Sequence, residues 1–168
     1  MTMRRAKAQW TARRSFNKHL MSCRLLSIVL VTIGLVCSAR AQRIENTSRS
    51  TVGYLGSDGR IENGSRSTVG YITVSGSGWT IENSSRSTIG YITPRGEDSF
   101  AVENSSRSTM GYVQRSGGSW TVENSSRSTV GYVGKDGRVE DGSRSTLGYA
   151  PDIPPAWAAV HFFFFRFP

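Results

Sequence analysis

One twelve-residue stretch recurs six times and leaves this chain little choice of architecture. It is cleanest at Val122-Glu123-Asn124-Ser125-Ser126-Arg127-Ser128-Thr129-Val130-Gly131-Tyr132-Val133, and close copies begin at Ile44, Ile61, Ile81, Val102 and Val139. A unit this small cannot bury an apolar face alone, so the copies must bury theirs against one another. The second-position glutamates, Glu45, Glu62, Glu82, Glu103, Glu123 and Glu140, are spaced 17, 20, 21, 20 and 17 residues apart. The motif keeps its length while the connection varies, which confines insertions to one face of the assembly.

Each copy reads as β-structure. Segments such as Thr68-Val69-Gly70-Tyr71-Ile72 are rich in β-branched and aromatic residues, and no helical periodicity runs between residue 42 and Ala150. The two short connections carry Gly56-Ser57-Asp58-Gly59 and Gly134-Lys135-Asp136-Gly137, hairpin signals in which glycine accepts a positive φ. The three longer ones are glycine-rich and return on Trp79, Phe100 and Trp120, rings expected to cover the adjacent strand. A second turn follows each glutamate. Asn63-Gly64 and Asp141-Gly142 suit a type I′ turn there, whereas the other copies have Thr47, Ser84, Ser105 or Ser125 in the glycine position. The result is a meander of about twelve short strands. Within each Val-Gly-Tyr, valine and tyrosine share a face and the glycine faces the other way, allowing a strand or ring to approach closely. The six tyrosines, Tyr54, Tyr71, Tyr91, Tyr112, Tyr132 and Tyr149, are expected in the core.

A long open sheet would expose its edges to aggregation, so the meander must close or coil. The first Ile-Glu-Asn strand lacks a preceding Gly-Tyr strand, and the last Gly-Tyr strand lacks a following one; pairing these orphans would seal a ring. The expected fold is therefore all-β, a closed or nearly closed radial ring of short antiparallel β-hairpin repeats. A β-solenoid is the alternative, and it would need terminal caps. The pattern Asp-Gly-Arg-Val-Glu-Asp-Gly-Ser-Arg-Ser-Thr-Leu-Gly-Tyr-Ala at 136–150, preceded by a leader and followed by Trp157-Ala158-Ala159 and a Phe run, resembles the bacterial exported 5-fold beta-flower proteins. The resemblance covers about Arg43 to Phe165. It implies a closed radial β-repeat and brings no catalytic residue, cofactor or ligand. Five complete Gly-Tyr-to-Glu-Asn hairpins plus two orphan strands leave five-fold and six-fold closure both open.

Residues 1–41 read as a cleaved signal peptide: a basic segment with Arg4, Arg5, Lys7, Arg13, Arg14 and Lys18, an apolar run from Leu25 to Val36, and Ala39-Arg40-Ala41 before Gln42. The run is short for a membrane span, which needs about 20 apolar residues, so no integral span is expected after cleavage. Met21 is an alternative start. A lipoprotein signal at Cys37 is less well supported, because Val36 is larger than the residue such a cysteine follows. The expected address is secreted or periplasmic. Eight of the 21 basic residues belong to the leader, which lowers the formal charge from +9 to +1 and removes the electrostatic case for nucleic acid. Both cysteines, Cys23 and Cys37, lie there too, so residues 42–168 contain no disulfide and no cysteine metal site.

Residues 42–150 form the six-copy repeat domain, and the tail, 151–168, breaks the period. Pro151, Pro154 and Pro155 make a stiff exit before an aromatic run through Phe162-Phe163-Phe164-Phe165. Exposed, that run would invite aggregation, so it should pack on or into the ring as a plug or final strand. A membrane-inserted tail or an oligomer contact is the alternative.

The repeated chemistry is glutamate followed four residues later by arginine. The arginines Arg49, Arg66, Arg86, Arg107, Arg127 and Arg144, together with Trp79, Phe100 and Trp120, are the candidate ligand-binding residues. A circle of guanidinium forks suits multivalent capture of an envelope polysaccharide or other polyanion. The competing reading is structural stitching, each glutamate neutralising an arginine. Catalysis is not expected. His161 is the one histidine after the leader and cannot serve six serines as a base, and identical copies give no carboxylate a distinct pKa. The Asn-x-Ser sequons read as turn chemistry, no metal-ligand set is present in the pattern, and no cofactor is implied. The chain reads as an exported, non-enzymatic structural or interaction protein of the bacterial envelope or periplasm, partnered by a polysaccharide or another envelope protein; the alternative is a multivalent glycan- or polyanion-binding module.

Overall fold

The computed structural model describes residues 41–165 and 167. The expectations for the leader, the Cys37 signal and the Met21 start lie outside the described residues.

Twelve antiparallel strands close into one barrel. They are β1 (Gln42–Glu45), β2 (Thr51–Leu55), β3 (Arg60–Asn63), β4 (Thr68–Ser75), β5 (Gly78–Asn83), β6 (Thr88–Gly96), β7 (Ser99–Asn104), β8 (Thr109–Ser116), β9 (Ser119–Asn124), β10 (Thr129–Gly134), β11 (Arg138–Asp141) and β12 (Thr146–Tyr149). Each strand pairs with its neighbours in sequence, and β12 returns to pair with β1. Five hairpins are continuous in the chain and the sixth is assembled from its two orphan strands. The ring is thus six-membered, and it is a closed barrel, not a solenoid.

Alternation decides what the wall presents to each side. In β2, Gly53 and Leu55 are buried while Val52 is exposed and Tyr54 half-buried. The inner face carries Ile44, Leu55, Ile61, Ile72, Ile81, Ile92, Val102, Val113, Val122, Val133 and Val139, all buried in one cluster. Tyrosine therefore faces outward in every copy, contrary to the expected core position, because the buried glycine and aliphatic residue on either side of it already claim the interior.

The two short connections and the turns after the glutamates follow one local rule, a three-residue loop closed by a residue of positive φ. At the short connections this residue is Gly59 or Gly137, each at φ 79°. After the glutamates it is arginine, at φ 61° to 67° in all six copies. The type I′ turn expected at Asn63-Gly64 and Asp141-Gly142 does not form: the positive φ falls on Arg66 and Arg144 instead. The cause is the first side chain of the turn. Asn124 Oδ1 accepts hydrogen bonds from the Ser126 and Ser128 amides, both at 3.0 Å, and the same pair of bonds recurs at Asn46, Asn63, Asn83, Asn104 and, through a carboxylate, Asp141. Bridging both amides winds the loop around the asparagine and carries the left-handed residue to the fourth position.

Eight strands can fill a barrel with their own side chains, but twelve leave a space that needs a filler. The tail supplies it. After the buried Ala150, the chain turns through Pro151 and Asp152 into a short helix, α1 (Pro155–Ala159), and a π-helical turn (Val160–Phe164). Pro155 stands where a helix tolerates proline, at its first position. Ala156, Ala158, Ala159 and Val160 are buried in the same cluster as the barrel wall. Small residues fit here because the Ile and Val of the wall already occupy most of the width.

Candidate functional site: a circle of tyrosine, glutamate and arginine

Strand register builds the outer face. Tyr54 lies opposite Glu62, Tyr71 opposite Glu82, Tyr91 opposite Glu103, Tyr112 opposite Glu123, Tyr132 opposite Glu140, and Tyr149 opposite Glu45. The arginine four residues after each glutamate turns back over this pair. Its guanidinium carbon lies 3.3–3.4 Å from the centroid of the tyrosine ring, Arg66 on Tyr54 and so on round to Arg49 on Tyr149. Its Nη1 donates to the glutamate Oε2 of its own copy at 3.0–3.4 Å. Only a positive φ aims the arginine this way. Glycine would adopt that backbone more cheaply, by about 1–2 kcal/mol, but has no side chain to close the cluster.

The glutamates are the covered members. Their side chains are 6–19% exposed, against 53–60% for the arginines above them. Five have the other carboxylate oxygen engaged as well: Glu45 by Arg43, Glu62 by Arg60, Glu103 by Arg95, Glu140 by Arg138, and Glu123 by the Gln114 amide at 2.9 Å. A buried carboxylate costs little only when its oxygens are satisfied in this manner. The hydrogen bond to Glu82 is also the main reason that the Arg86 guanidinium is held still more firmly in its charged form.

All six sequence-predicted arginines thus share one rim, at the end of the barrel where the Asn-Ser-Arg turns lie. The three predicted aromatics do not join them. Trp79, Phe100 and Trp120 point inward at the opposite end, half-buried on the three long hairpins. Trp79 and Phe100 stand 5.9 Å apart, as do Phe100 and Trp120, and Trp79 meets Trp157 of α1 edge-on at 6.2 Å. They close over the start of the plug rather than covering a strand.

A second circle lies inside the first. Phe162 rests on Gly148, Phe163 on Gly131, Phe164 on Gly111, Phe165 on Gly90 and Phe167 on Gly70. A β-carbon at any of these glycines would stand under 3 Å from the ring above it. The recurring glycine is therefore a seat, and successive tail phenylalanines take the seats of successive hairpins. The sequence pattern marks the close approach at the glycines but not its pairing with the tail, for which the repeated glycines and clustered phenylalanines are the available signal.

The model of one protein family, described as 5-fold beta-flower protein, matches residues 41–166. The chain belongs to the 5-fold beta-flower family. A search of the curated proteins and a search of the solved structures gave no match. In this beta-flower chain five hairpins are continuous and five phenyl rings sit on glycines, while the barrel itself closes with six hairpins. Among the described residues, no group of three or more His, Cys, Asp or Glu is placed to hold a metal ion, and no helix is long and apolar enough to cross a membrane.

Proposed function

We propose that this beta-flower protein is an exported, non-enzymatic structural or interaction protein of the bacterial envelope or periplasm. The observation that carries the reading is the double commitment of all six arginines, each stacked on a tyrosine and bonded to a covered glutamate. The repeated polar residues are explained by holding adjacent hairpins together, and the interior is taken by the chain's own tail. The basic segment, apolar run and Ala-Arg-Ala before Gln42 support export. Expression in a bacterial host followed by fractionation and N-terminal sequencing tests the address. The expected product begins at Gln42 outside the cytoplasm; a cytoplasmic product that keeps the leader would overturn it.

A second reading rests on a specific observation. The six guanidinium groups are more than half exposed on one rim, so each retains a free face toward solvent. Such a circle would bind sulfated or uronic polysaccharide by many weak contacts at once. Passage over an immobilised sulfated polysaccharide separates the two. Flow-through at low ionic strength favours the structural reading. Salt-sensitive retention, lost on combining Arg107→Ala with Arg127→Ala in a protein that still folds, favours the binder.

A further inference from the structure

The inner wall has six recurring glycines, and among the described residues five of them carry a phenyl ring. The sixth, Gly53, lies between Gly70 and Gly148 around the barrel, and the atoms nearest its missing β-carbon belong to the Glu62 carbonyl and the Ile44 side chain. Among the described tail residues, the one that falls to this sector is His161. Its ring stands 5.2 Å from Phe162, edge to face, and 6.1 Å from Phe167, stacked; these two phenyls occupy the seats on either side of Gly53. Histidine holds the sixth place in a circle otherwise made of phenylalanine.

Three independent features coincide in this sector. First, His161 Nδ1 is buried and, among the described residues, has no hydrogen-bond partner. Second, the imidazole borders a cavity of about 10 Å³ walled by Ile44, Leu55, Ile61, Ile72, Phe162 and Phe167. That is room for one water at most, and the apolar walls offer it almost nothing to bond. Third, the barrel is sealed here by the shortest pairing in the ring, with Glu45 opposite Tyr149 as the one matched position between β1 and β12. Ile44 of β1 and Leu55 of β2 line the cavity directly.

We propose that His161 is an acid-sensitive latch: the neutral imidazole keeps the tail seated, and its protonation unseats the tail and loosens the β1–β12 seam. A charged imidazole needs an acceptor or water at each N–H, and among the described residues nothing meets that need at Nδ1. The groups on the elements around it do not compensate. Arg43, Glu45 and Arg49 belong to the outer cluster across the seam, and Arg60, Glu62 and Tyr71 lie on the outer face of β3 and β4. Asp152 is exposed, with its carbonyl accepting from the Gln42 side chain. Burial accordingly pushes the His161 pKa below the ordinary 6.5.

The sign follows from linkage. The folded state keeps His161 neutral while the unfolded chain takes up a proton near pH 6.5, so the unfolded state binds more protons in that window. Stability is complete above about pH 6.5 and is lost as pH falls toward the lowered folded value, by up to about tenfold in the folded-to-unfolded ratio per pH unit. The test is thermal unfolding between pH 7.5 and pH 5 of the wild-type chain, His161→Phe and His161→Gln, with hydrogen exchange at the β1 amides. The wild type is expected to lose melting temperature below about pH 6.5 and to exchange faster at β1. Both variants should show a shallower slope, since neither side chain titrates. Glutamine decides the outcome if phenylalanine prevents folding. Equal slopes in the wild type and the folded variant, or β1 exchange that ignores the substitution, would overturn the proposal.

Discussion

Replacing Arg127 separates what its side chain contributes from what its backbone costs. Arg127 has φ 65°, lies 3.4 Å above Tyr112 and donates to Glu123 at 3.1 Å. Arg127→Ala keeps the strained backbone and removes both contacts. The stack is worth about 0.5–1 kcal/mol at an exposed site, and the ion pair about 0.2–1 kcal/mol. Glu123 is covered and would keep only Gln114, so one carboxylate oxygen loses its partner at a further cost of about 1 kcal/mol. The expected loss is about 2–3 kcal/mol. Arg127→Gly suffers the same loss of contacts but relieves the left-handed strain, recovering about 1–2 kcal/mol. Stability should therefore fall in the order Arg, Gly, Ala. Urea titration with a constant m-value measures this directly. An alanine variant as stable as the wild type, or a glycine variant less stable than alanine, would refute the reasoning.

Other substitutions probe other parts of the ring. Gly111→Ala should cost about 1–3 kcal/mol, because its β-carbon meets both the Glu123 carbonyl and Phe164, whereas Gly118→Ala meets nothing within 4 Å and should be near neutral; paired thermal melts give the comparison. Asn124→Ala removes the acceptor for two amides and should cost about 1–2 kcal/mol, while Asn124→Asp should be tolerated as Asp141 is in its own copy; chemical denaturation ranks the two. Deleting residues 156–168 empties the barrel and should abolish cooperative unfolding or precipitate the protein; an unchanged melting temperature and solubility would contradict the plug.

Much of this fold could be read from the repeat itself. The strands, the glycine turns at Gly59 and Gly137 and the sealing of Ile44-Glu45-Asn46 against Leu147-Gly148-Tyr149 all follow from local chemistry and from the need to bury a shared face. The failures occurred where two physical demands competed for one residue. At Asn63-Gly64 turn propensity pointed to the glycine, but the asparagine side chain captured two amides and moved the positive φ to Arg66. At Tyr54 size and hydropathy pointed inward, but Gly53 and Leu55 had already claimed the interior by alternation. The pairing of Glu62 with Arg66 was visible as spacing, but the part Tyr54 plays came only with the strand register, which sets Tyr54 opposite Glu62. Trp79, Phe100 and Trp120 stood out as rings, and each stands two residues before an inward Ile81, Val102 or Val122, which sets its direction; what they close over depended on the tail.

The central claim is that the tail seats one phenyl ring on each of five hairpins and none on the sixth. Nuclear magnetic resonance of the glycine α-protons reads this out, since a proton held against an aromatic ring is shifted strongly by its ring current. The account predicts displaced resonances for Gly70, Gly90, Gly111, Gly131 and Gly148, with cross-peaks to the phenyl protons, and an ordinary resonance for Gly53. Six glycines with similar, unshifted α-protons would contradict it.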